Sequence, residues 1–258
     1  MIKIATGFSN GGGSTIAHIN LINELNKINL PAKLYGPHQW HLDKCESDLL
    51  KNFQIKKEDI ILTHFLNINF RPDCKKFILS CHETKLFPLK ELPHEHYDLV
   101  HFVSDFQKNW HNITHKNVII PPITYAVNWL GKKTNCAGVI GSIDPNKRTH
   151  LSIERALLDG YQKVLLFGNI SDHTYFFSFI QPFIKSGKAI MVGHLDNKEL
   201  MYNSVDKVYH SSIIECCPLV KAECILSGIP YSELDPLPND NPSLPQDIIT
   251  KWLNVFNL

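Results

Sequence analysis

The chain alternates short, unbroken apolar runs with stretches of helical periodicity, and it runs through this alternation twice. Ile2–Thr6, Ala32–Tyr35, Ile60–Thr63, Lys76–Ser80, Leu99–Val103 and Val118–Ile120 place apolar residues mostly at consecutive rather than alternate positions. Strands buried on both faces read this way, and such strands belong to parallel sheets covered by helices. Parallel neighbours need a crossover of a dozen or more residues, usually a helix. Ile16, Ile19, Leu21, Ile22 and Leu25 recur at helical spacing after the first run, with Ser14 placed as the N-cap. The pattern confines the chain to the α/β class.

Pro121-Pro122 and the polar Gly131–Asn135 interrupt the pattern, which then restarts. Strands are expected at Ala137–Gly141, Lys163–Phe167, Lys188–Val192, Lys207–His210 and Ile229–Tyr231. Helices are expected at Arg148–Asp159, Tyr175–Lys185 and Leu219–Ser227, the first stopped by Gly160 and the last by Gly228-Ile229-Pro230. Two successive series of this kind predict two Rossmann-like β/α/β lobes, residues 1–128 and 129–240. Pro236–Pro245 reads as a loop. Gln246–Phe256, within the segment 241–258, reads as a last helix packing back on the first lobe.

Composition enters as a set of exclusions. With 258 residues, 43% of them hydrophobic, the chain has ample material for a core. A formal net charge of +1 and the lack of a basic stripe argue against a nucleic-acid partner. No apolar run approaches membrane-spanning length, which leaves at most peripheral membrane contact. Met1–Ala5 leads straight into a strand pattern, so no secretion leader and a cytoplasmic location are expected. Seven cysteines without a C-x-x-C pair read as reduced thiols. Fourteen histidines direct attention to His94-Glu95-His96 as a zinc candidate, but no second pair stands at ligand spacing and no metal is assigned.

Three segments carry chemistry. Gly7–Ser14 lies between the first strand and the first helix and contains Gly11-Gly12-Gly13. It misses the ATPase phosphate loop because Gly13 stands where that loop needs lysine, and its glycine spacing is wrong for a dinucleotide fingerprint. A turn of small residues that lets a ligand approach backbone remains, beside a helix N-terminus. Gly138–Arg148 again follows a strand and opens a helix, with Lys147 and Arg148 placed to meet a pyrophosphate. In Ser211–Glu223, two carboxylates, Glu215 and Glu223, flank a turn containing Pro218 that opens a helix. Pro218 fits the first helical turn without losing a hydrogen bond, and the free amides of Leu219 and Val220 point toward any anion at the positive helix end. Read without function, each segment is an ordinary turn, a surface cation pair, or a strand and helix with surface glutamates.

These pieces, in this order, resemble the retaining glycosyltransferases of the GT-B fold in the large family called GT4. The resemblance covers most of the chain and is strongest over residues 137–230, where the Gly141-to-Lys147 segment is joined by Val192-Gly193-His194-Leu195 and the Glu215/Glu223 pair. It implies two Rossmann-like domains facing across a cleft, the second holding a UDP- or GDP-linked sugar and the first a glycan acceptor, with no metal and no cofactor. By the resemblance, Lys147 matches the diphosphate lysine, Glu223 the ribose glutamate, Glu215 the glutamate beside the donor sugar, and Leu219 and Val220 the phosphate-binding amides. Gly193-His194 matches the base-contacting segment. Gly12-Gly13 matches the first glycine loop, and His82, in Ser80-Cys81-His82-Glu83, the first-lobe histidine near the sugar. One position departs: the family has arginine directly after Gly141, where this chain has Ser142, and Arg148 is the nearest cation to replace it. The implied reaction is front-face glycosyl transfer with retained anomeric configuration. The alternatives are a nucleotide-sugar-binding protein without turnover and a GT-B relative acting as nucleotide-sugar epimerase or hydrolase.

Overall fold

Parallel pairing governs both halves of the chain. The computed structural model describes residues 1–8, 12–37, 44–66, 68–84, 94–238 and 242–258. It divides into two units, residues 1–124 with 243–258, and residues 125–242.

In the first unit β1 (Ile2–Thr6), β2 (Ala32–Gly36), β3 (Ser47–Leu49), β4 (Ile60–His64), β5 (Lys76–Cys81), β6 (Leu99–Phe102) and β7 (Asn117–Ile119) form one sheet, ordered β3-β2-β1-β4-β5-β6-β7. All its neighbouring strands run parallel. Successive side chains point to opposite faces. Ile60 and Leu62 therefore enter one apolar core with Ile2, Ile4, Leu34 and Ile78, while Ile61 enters the other with Phe77, Leu79 and Val100. Ile19, Ile22 and Leu25 of α1 (Gly13–Lys27) cover the first face. The C-terminal helix Pro245–Phe256 covers it too, through Ile248, Ile249, Trp252 and Phe256. A short helix, α2 (Asp105–His111), is capped by Ser104, whose hydroxyl accepts from the Gln107 amide.

The second unit contains β8 (Cys136–Ile140), β9 (Lys163–Phe167), β10 (Ala189–Gly193), β11 (Lys207–His210) and β12 (Tyr231–Glu233), ordered β10-β9-β8-β11-β12 and again parallel throughout. The crossovers carry α3 (Thr149–Leu158), α4 (His173–Tyr175), which continues through a π-helical turn (Phe176–Ile180) into α5 (Gln181–Lys185), then α6 (Lys198–Asn203) and α7 (Leu219–Ser227). Gly228 closes α7 in the left-handed region at φ 69°, where glycine has no Cβ penalty.

The expected strands and long helices are present with ends moved by one or two residues. Helix α1 differs in its cap: it begins at Gly13, and Gly12 at the N-cap, having no side chain, makes no capping bond. Ser14 therefore stands inside the first turn rather than before it. Strand β3 and helices α2 and α6 were not signalled, being short and largely polar. Residues 239–241 of the expected 236–245 loop lie outside the described residues, and Pro245 opens the last helix rather than closing that loop.

The C-terminal helix is structural for the first unit. Trp252 is 3% exposed and packs against His101 and Phe256, with ring centroids 4.6 and 5.4 Å away. Trp252→Ala is expected to lower the stability of this unit by about 3–5 kcal/mol, the range for large buried aromatics, read as a fall in the urea midpoint.

Candidate functional site

All strands of a parallel sheet end on the same edge, so the loops beyond those ends collect the residues that the buried strands cannot carry. In the second unit the loops after β8 and β9 lock together. Gly141 N donates to Phe167 O at 2.8 Å, and Ile143 N to Asn169 O at 2.9 Å. Gly168, at φ +140°, comes so close that a Cβ there would lie 1.9 Å from Gly141 O. Only glycine fits. The turn after Gly141 is closed by Asp144, which accepts from the Lys147 amide at 3.0 Å and from the Ser142 hydroxyl at 2.5 Å. At the position where the resemblance implies arginine, the chain thus has a hydroxyl bonded to a carboxylate.

Lys147 leaves this turn and its ammonium bonds Glu215 Oε1. Glu215 also meets His210 Nε2 at 3.3 Å, and the same nitrogen lies 2.6 Å from Ser212 Oγ. Burial by itself would raise the Glu215 pKa, but the His210 hydrogen bond and the Lys147 charge outweigh it and hold the carboxyl at about 2. The structure therefore brings Lys147 and Glu215 together as an ionised pair, 68 residues apart in the chain. A small pocket between the ends of β8 and β11 is lined by Gly141, Ser142, Lys147, His210 and Ser212.

Arg148 is used differently. It caps α3 in the left-handed conformation, φ 45°, and its guanidinium bonds Ser211 O at 2.6 Å, Ser212 O at 3.4 Å and the Asp235 carboxylate. Its hydrogen bonds pin the β11 end to the α3 start, which leaves Lys147 as the cation on the Glu215 side of the turn.

Beyond Glu215, Pro218 caps α7 with no side-chain bond. Leu219 and Val220 open that helix, and the first amides of a helix have no partner within it. Four residues further, Glu223 is 4% exposed and bonds the Lys198 ammonium through one oxygen and Tyr202 Oη, at 2.5 Å, through the other. Burial, then the Glu223 charge, push the Tyr202 phenol well above its ordinary pKa, so it stays a donor. Gly193 ends β10 at φ 85°, and His194 is exposed beside Asp196, 3.0 Å from its carboxylate. Asp144, His210, Ser212, Lys198 and Tyr202 were not found from sequence. His210 had a signal, a polar residue closing an apolar strand run.

The edge of the first unit has another character. Ser9, Asn10 and Gly11 of the glycine loop lie outside the described residues; Gly12 and Gly13 begin α1. His82 follows β5 and meets three histidines that sequence reading missed. His18 on α1, His64 ending β4 and His101 in β6 have ring centroids 4.7, 5.0 and 5.8 Å from it. His64 spans Thr6 Oγ1 at 3.2 Å and Glu83 Oε2 at 2.9 Å. Helix α2 anchors the His82-Glu83 segment: Gln107 Nε2 and His111 Nε2 both donate to Glu83 O at 3.0 Å. Among the described residues no group of three or more His, Cys, Asp or Glu is arranged to hold a metal ion, and no helix is long and apolar enough to cross a membrane.

Burial, followed by the neighbouring imidazoles, holds His18 and His82 well below the ordinary histidine pKa, and burial brings His101 to about 4. Below about pH 6.5 the unfolded chain takes up protons that the folded unit refuses. Stability is then lost with falling pH at about 1.4 kcal/mol per pH unit for each such histidine, until the folded pKa is reached. The urea midpoint of the first unit is expected to fall steadily from pH 7 to pH 5. A flat profile would contradict the neutral cluster.

No protein-family model matches the chain, and no curated protein matches it in sequence. Solved structures do match. The Anabaena protein HepE, solved in complex with UDP, is 13% identical, with 99% of this chain and 88% of that chain covered and a TM-score of 0.67. WaaG, a glycosyltransferase involved in lipopolysaccharide biosynthesis, is 10% identical over 100% and 91% of the two chains, with a TM-score of 0.65. AviGT4, a glycosyltransferase involved in avilamycin A biosynthesis, is 14% identical over 90% and 78%, with a TM-score of 0.66. At these identities the likeness is one of fold. The chain has the GT-B fold class, two Rossmann-like units in succession, with a seven-stranded and a five-stranded parallel sheet.

Proposed function

We propose that this chain is a glycosyltransferase that moves a sugar from a nucleoside-diphosphate sugar, UDP- or GDP-linked, to a hydroxyl of a glycan acceptor. One observation carries the reading: Lys147 and Glu215 meet at the carboxyl edge of the second sheet, just before the α7 N-terminus and seven intervening residues before the buried Glu223. The fold likeness to HepE, solved with UDP and with UDP-glucose, supports it.

The division of labour follows from charge. Breaking the glycosidic phosphate bond leaves negative charge on the departing diphosphate. Lys147 and the free amides of Leu219 and Val220 stabilise that charge, in a site preorganised before reaction. The positive end of α7 adds to it. Glu223 accepts from the ribose hydroxyls, and Gly193-His194 lies against the base. Glu215, ionised at neutral pH, stabilises the oxocarbenium character of the sugar ring. On this reading the anomeric configuration is retained, the departing phosphate takes the acceptor proton, and no metal is needed. In the first unit, this reading assigns His82 to contact with a sugar and Gly12-Gly13 to close approach of a phosphate.

A second reading, a nucleotide-sugar-binding protein without turnover, is favoured by one detail. Ser142 replaces an expected cation, and Arg148 is committed to the Ser211 and Ser212 carbonyls and Asp235. Turnover separates the two readings.

Calorimetric titration with UDP, GDP, ADP and CMP is expected to find one nucleoside diphosphate bound selectively. Glu223→Gln should weaken it about 10- to 100-fold, the loss of a hydrogen bond to a charged group. Lys147→Ala is expected to lower kcat about 10²- to 10³-fold with a sugar nucleotide of the selected base, as when one preorganised group facing the developing charge is removed. Binding without turnover on any acceptor would establish the second reading. No binding of any of the four, with or without a divalent metal, would overturn both.

A further inference from the structure

The histidine cluster of the first unit contains a chain of hydrogen bonds whose directions can be solved from one end. Ile120 O can only accept, so His101 Nε2, 2.8 Å away, carries a hydrogen. His101 is 2% exposed, and burial brings its pKa to about 4, so at neutral pH its other nitrogen is bare. Ser80 Oγ lies 2.9 Å from His101 Nδ1 and must donate to it. The single hydroxyl hydrogen of Ser80 is then spent, and toward His82 Nε2, 3.1 Å away, the oxygen can only accept. His82 Nε2 therefore carries its hydrogen. His82 is also kept neutral, by burial and then by the surrounding imidazoles, so its Nδ1 holds a lone pair and no proton.

That lone pair has no donor among the described residues. His82 is the one imidazole of the four that is only partly buried, and its segment is held in place by Gln107 and His111 through Glu83 O. Beside it, His18 Nε2 is buried with no hydrogen-bond partner, on a ring 2% exposed and 4.7 Å from the His82 ring. The cluster therefore offers unmatched polar atoms of neutral groups. Both nitrogens of His64 are already engaged, by Thr6 and Glu83, as is His82 Nε2 by Ser80. The complement for an accessible neutral acceptor is an uncharged donor, and a sugar hydroxyl supplies one.

We propose that Ser80 and His101 are positioning residues that fix His82 as its Nε2–H tautomer, so that His82 Nδ1 accepts a hydrogen bond from a hydroxyl of the sugar substrate. The hydroxyl partner rests on the glycosyltransferase reading; the tautomer does not. Mispositioning here leaves the ring in place and changes only what it offers: a flipped or Nδ1–H histidine presents a donor where an acceptor is required.

The test uses the full chain labelled with ¹⁵N-histidine, observed by two-bond ¹H–¹⁵N correlation at pH 7.5, with His82 assigned through His82→Gln. The expected result is a protonated Nε2 and an unprotonated Nδ1 for His82. Ser80→Ala should lose this single-tautomer pattern and Ser80→Thr, which restores the hydroxyl, should recover it. UDP-glucose or GDP-mannose should shift the Nδ1 resonance, whereas UDP or GDP alone should leave it unmoved. An Nδ1–H tautomer, or a pattern unchanged in well-folded Ser80→Ala, overturns the positioning role. A bound sugar nucleotide that leaves Nδ1 unmoved overturns the hydroxyl contact. If calorimetry shows neither sugar nucleotide nor any nucleoside diphosphate bound, the transferase reading falls and takes the hydroxyl partner with it, while the free-protein spectrum still decides the role of Ser80 and His101.

Discussion

A parallel strand cannot be joined to its neighbour by a hairpin, and everything distinctive about this molecule follows from that constraint. Each strand must be followed by a crossover, so every strand in a sheet ends on one edge. The sheet interior is mostly apolar, and most of the polar chemistry collects near where strands stop. In the first unit that edge receives Thr6, His64, Ser80 and His82; in the second it receives Gly141, Gly168, Gly193 and His210. Residues far apart in sequence become neighbours there without any loop having to be long. Lys147 follows β8 and Glu215 follows β11, and these two strands are adjacent in the sheet order. Their ion pair is a consequence of strand order before it is a feature of a site.

The three cations around the candidate site of the second unit are each already answered. Lys147 faces Glu215, Arg148 faces two carbonyls and Asp235, and Lys198 faces Glu223. A buried or half-buried charge without such an answer would be costly. On the proposed reading this sets the character of donor binding. A diphosphate competes with Glu215 for Lys147, and the ribose competes with Lys198 and Tyr202 for Glu223. Net affinity is then a difference between similar interactions, and the uncapped start of α7 matters more than it would beside a free cation. The Asp144 carboxylate that accepts from Ser142 works in the same direction, since it adds negative charge to the turn where the resemblance implies a cation.

Much of the architecture was legible because continuous apolar runs have few alternatives. Ile60–His64 and Lys163–Phe167 have no polar face, so neither reads as an exposed strand, and helix α7 was bounded correctly because Pro218 and Gly228 punctuate both ends. The elements that escaped, β3, α2 and α6, are stabilised by contacts that spacing does not encode. Ser104 caps α2, and Asn197 caps α6 by accepting from Leu200 N. Each is a single polar residue among many similar ones. At the candidate site, Lys147, Glu215 and Glu223 were singled out through the family resemblance, but their partners His210, Lys198 and Tyr202 could not be read from it. His210 sits at the end of an apolar strand, where a hydrogen-bonded structural histidine reads identically. His18 looks like one polar residue on a helix face, and only the crossover geometry brings it against His64 and His82. Ser14 misled for a related reason: a good capping side chain stands two residues past the N-cap, which is Gly12 in extended backbone with no side-chain bond.

The two edges differ in a way that bears on what each can hold. The edge of the second unit is built from ionised groups, a depressed carboxyl, two lysines and a helix start, and its natural complement is an anion with hydroxyls at its far end. The cluster on the first edge is built mainly from imidazoles, of which His18, His82 and His101 are kept neutral chiefly by burial, joined by Ser80 and Thr6 hydroxyls, with the Glu83 carboxylate at its margin. Four imidazoles packed together cannot all be charged, since each protonation raises the cost of the next. The cluster therefore offers direction rather than charge. It fixes which atoms donate and which accept, and it gives up stability on acidification to do so. His18, buried with an unpartnered nitrogen, is a local conflict of the kind folding alone would remove, and such conflicts concentrate where function is retained. On the proposed reading, the anion-complementary edge suits a charged diphosphate, which needs opposing charge, and the neutral, direction-setting edge suits sugar hydroxyls, which need donors and acceptors aimed correctly.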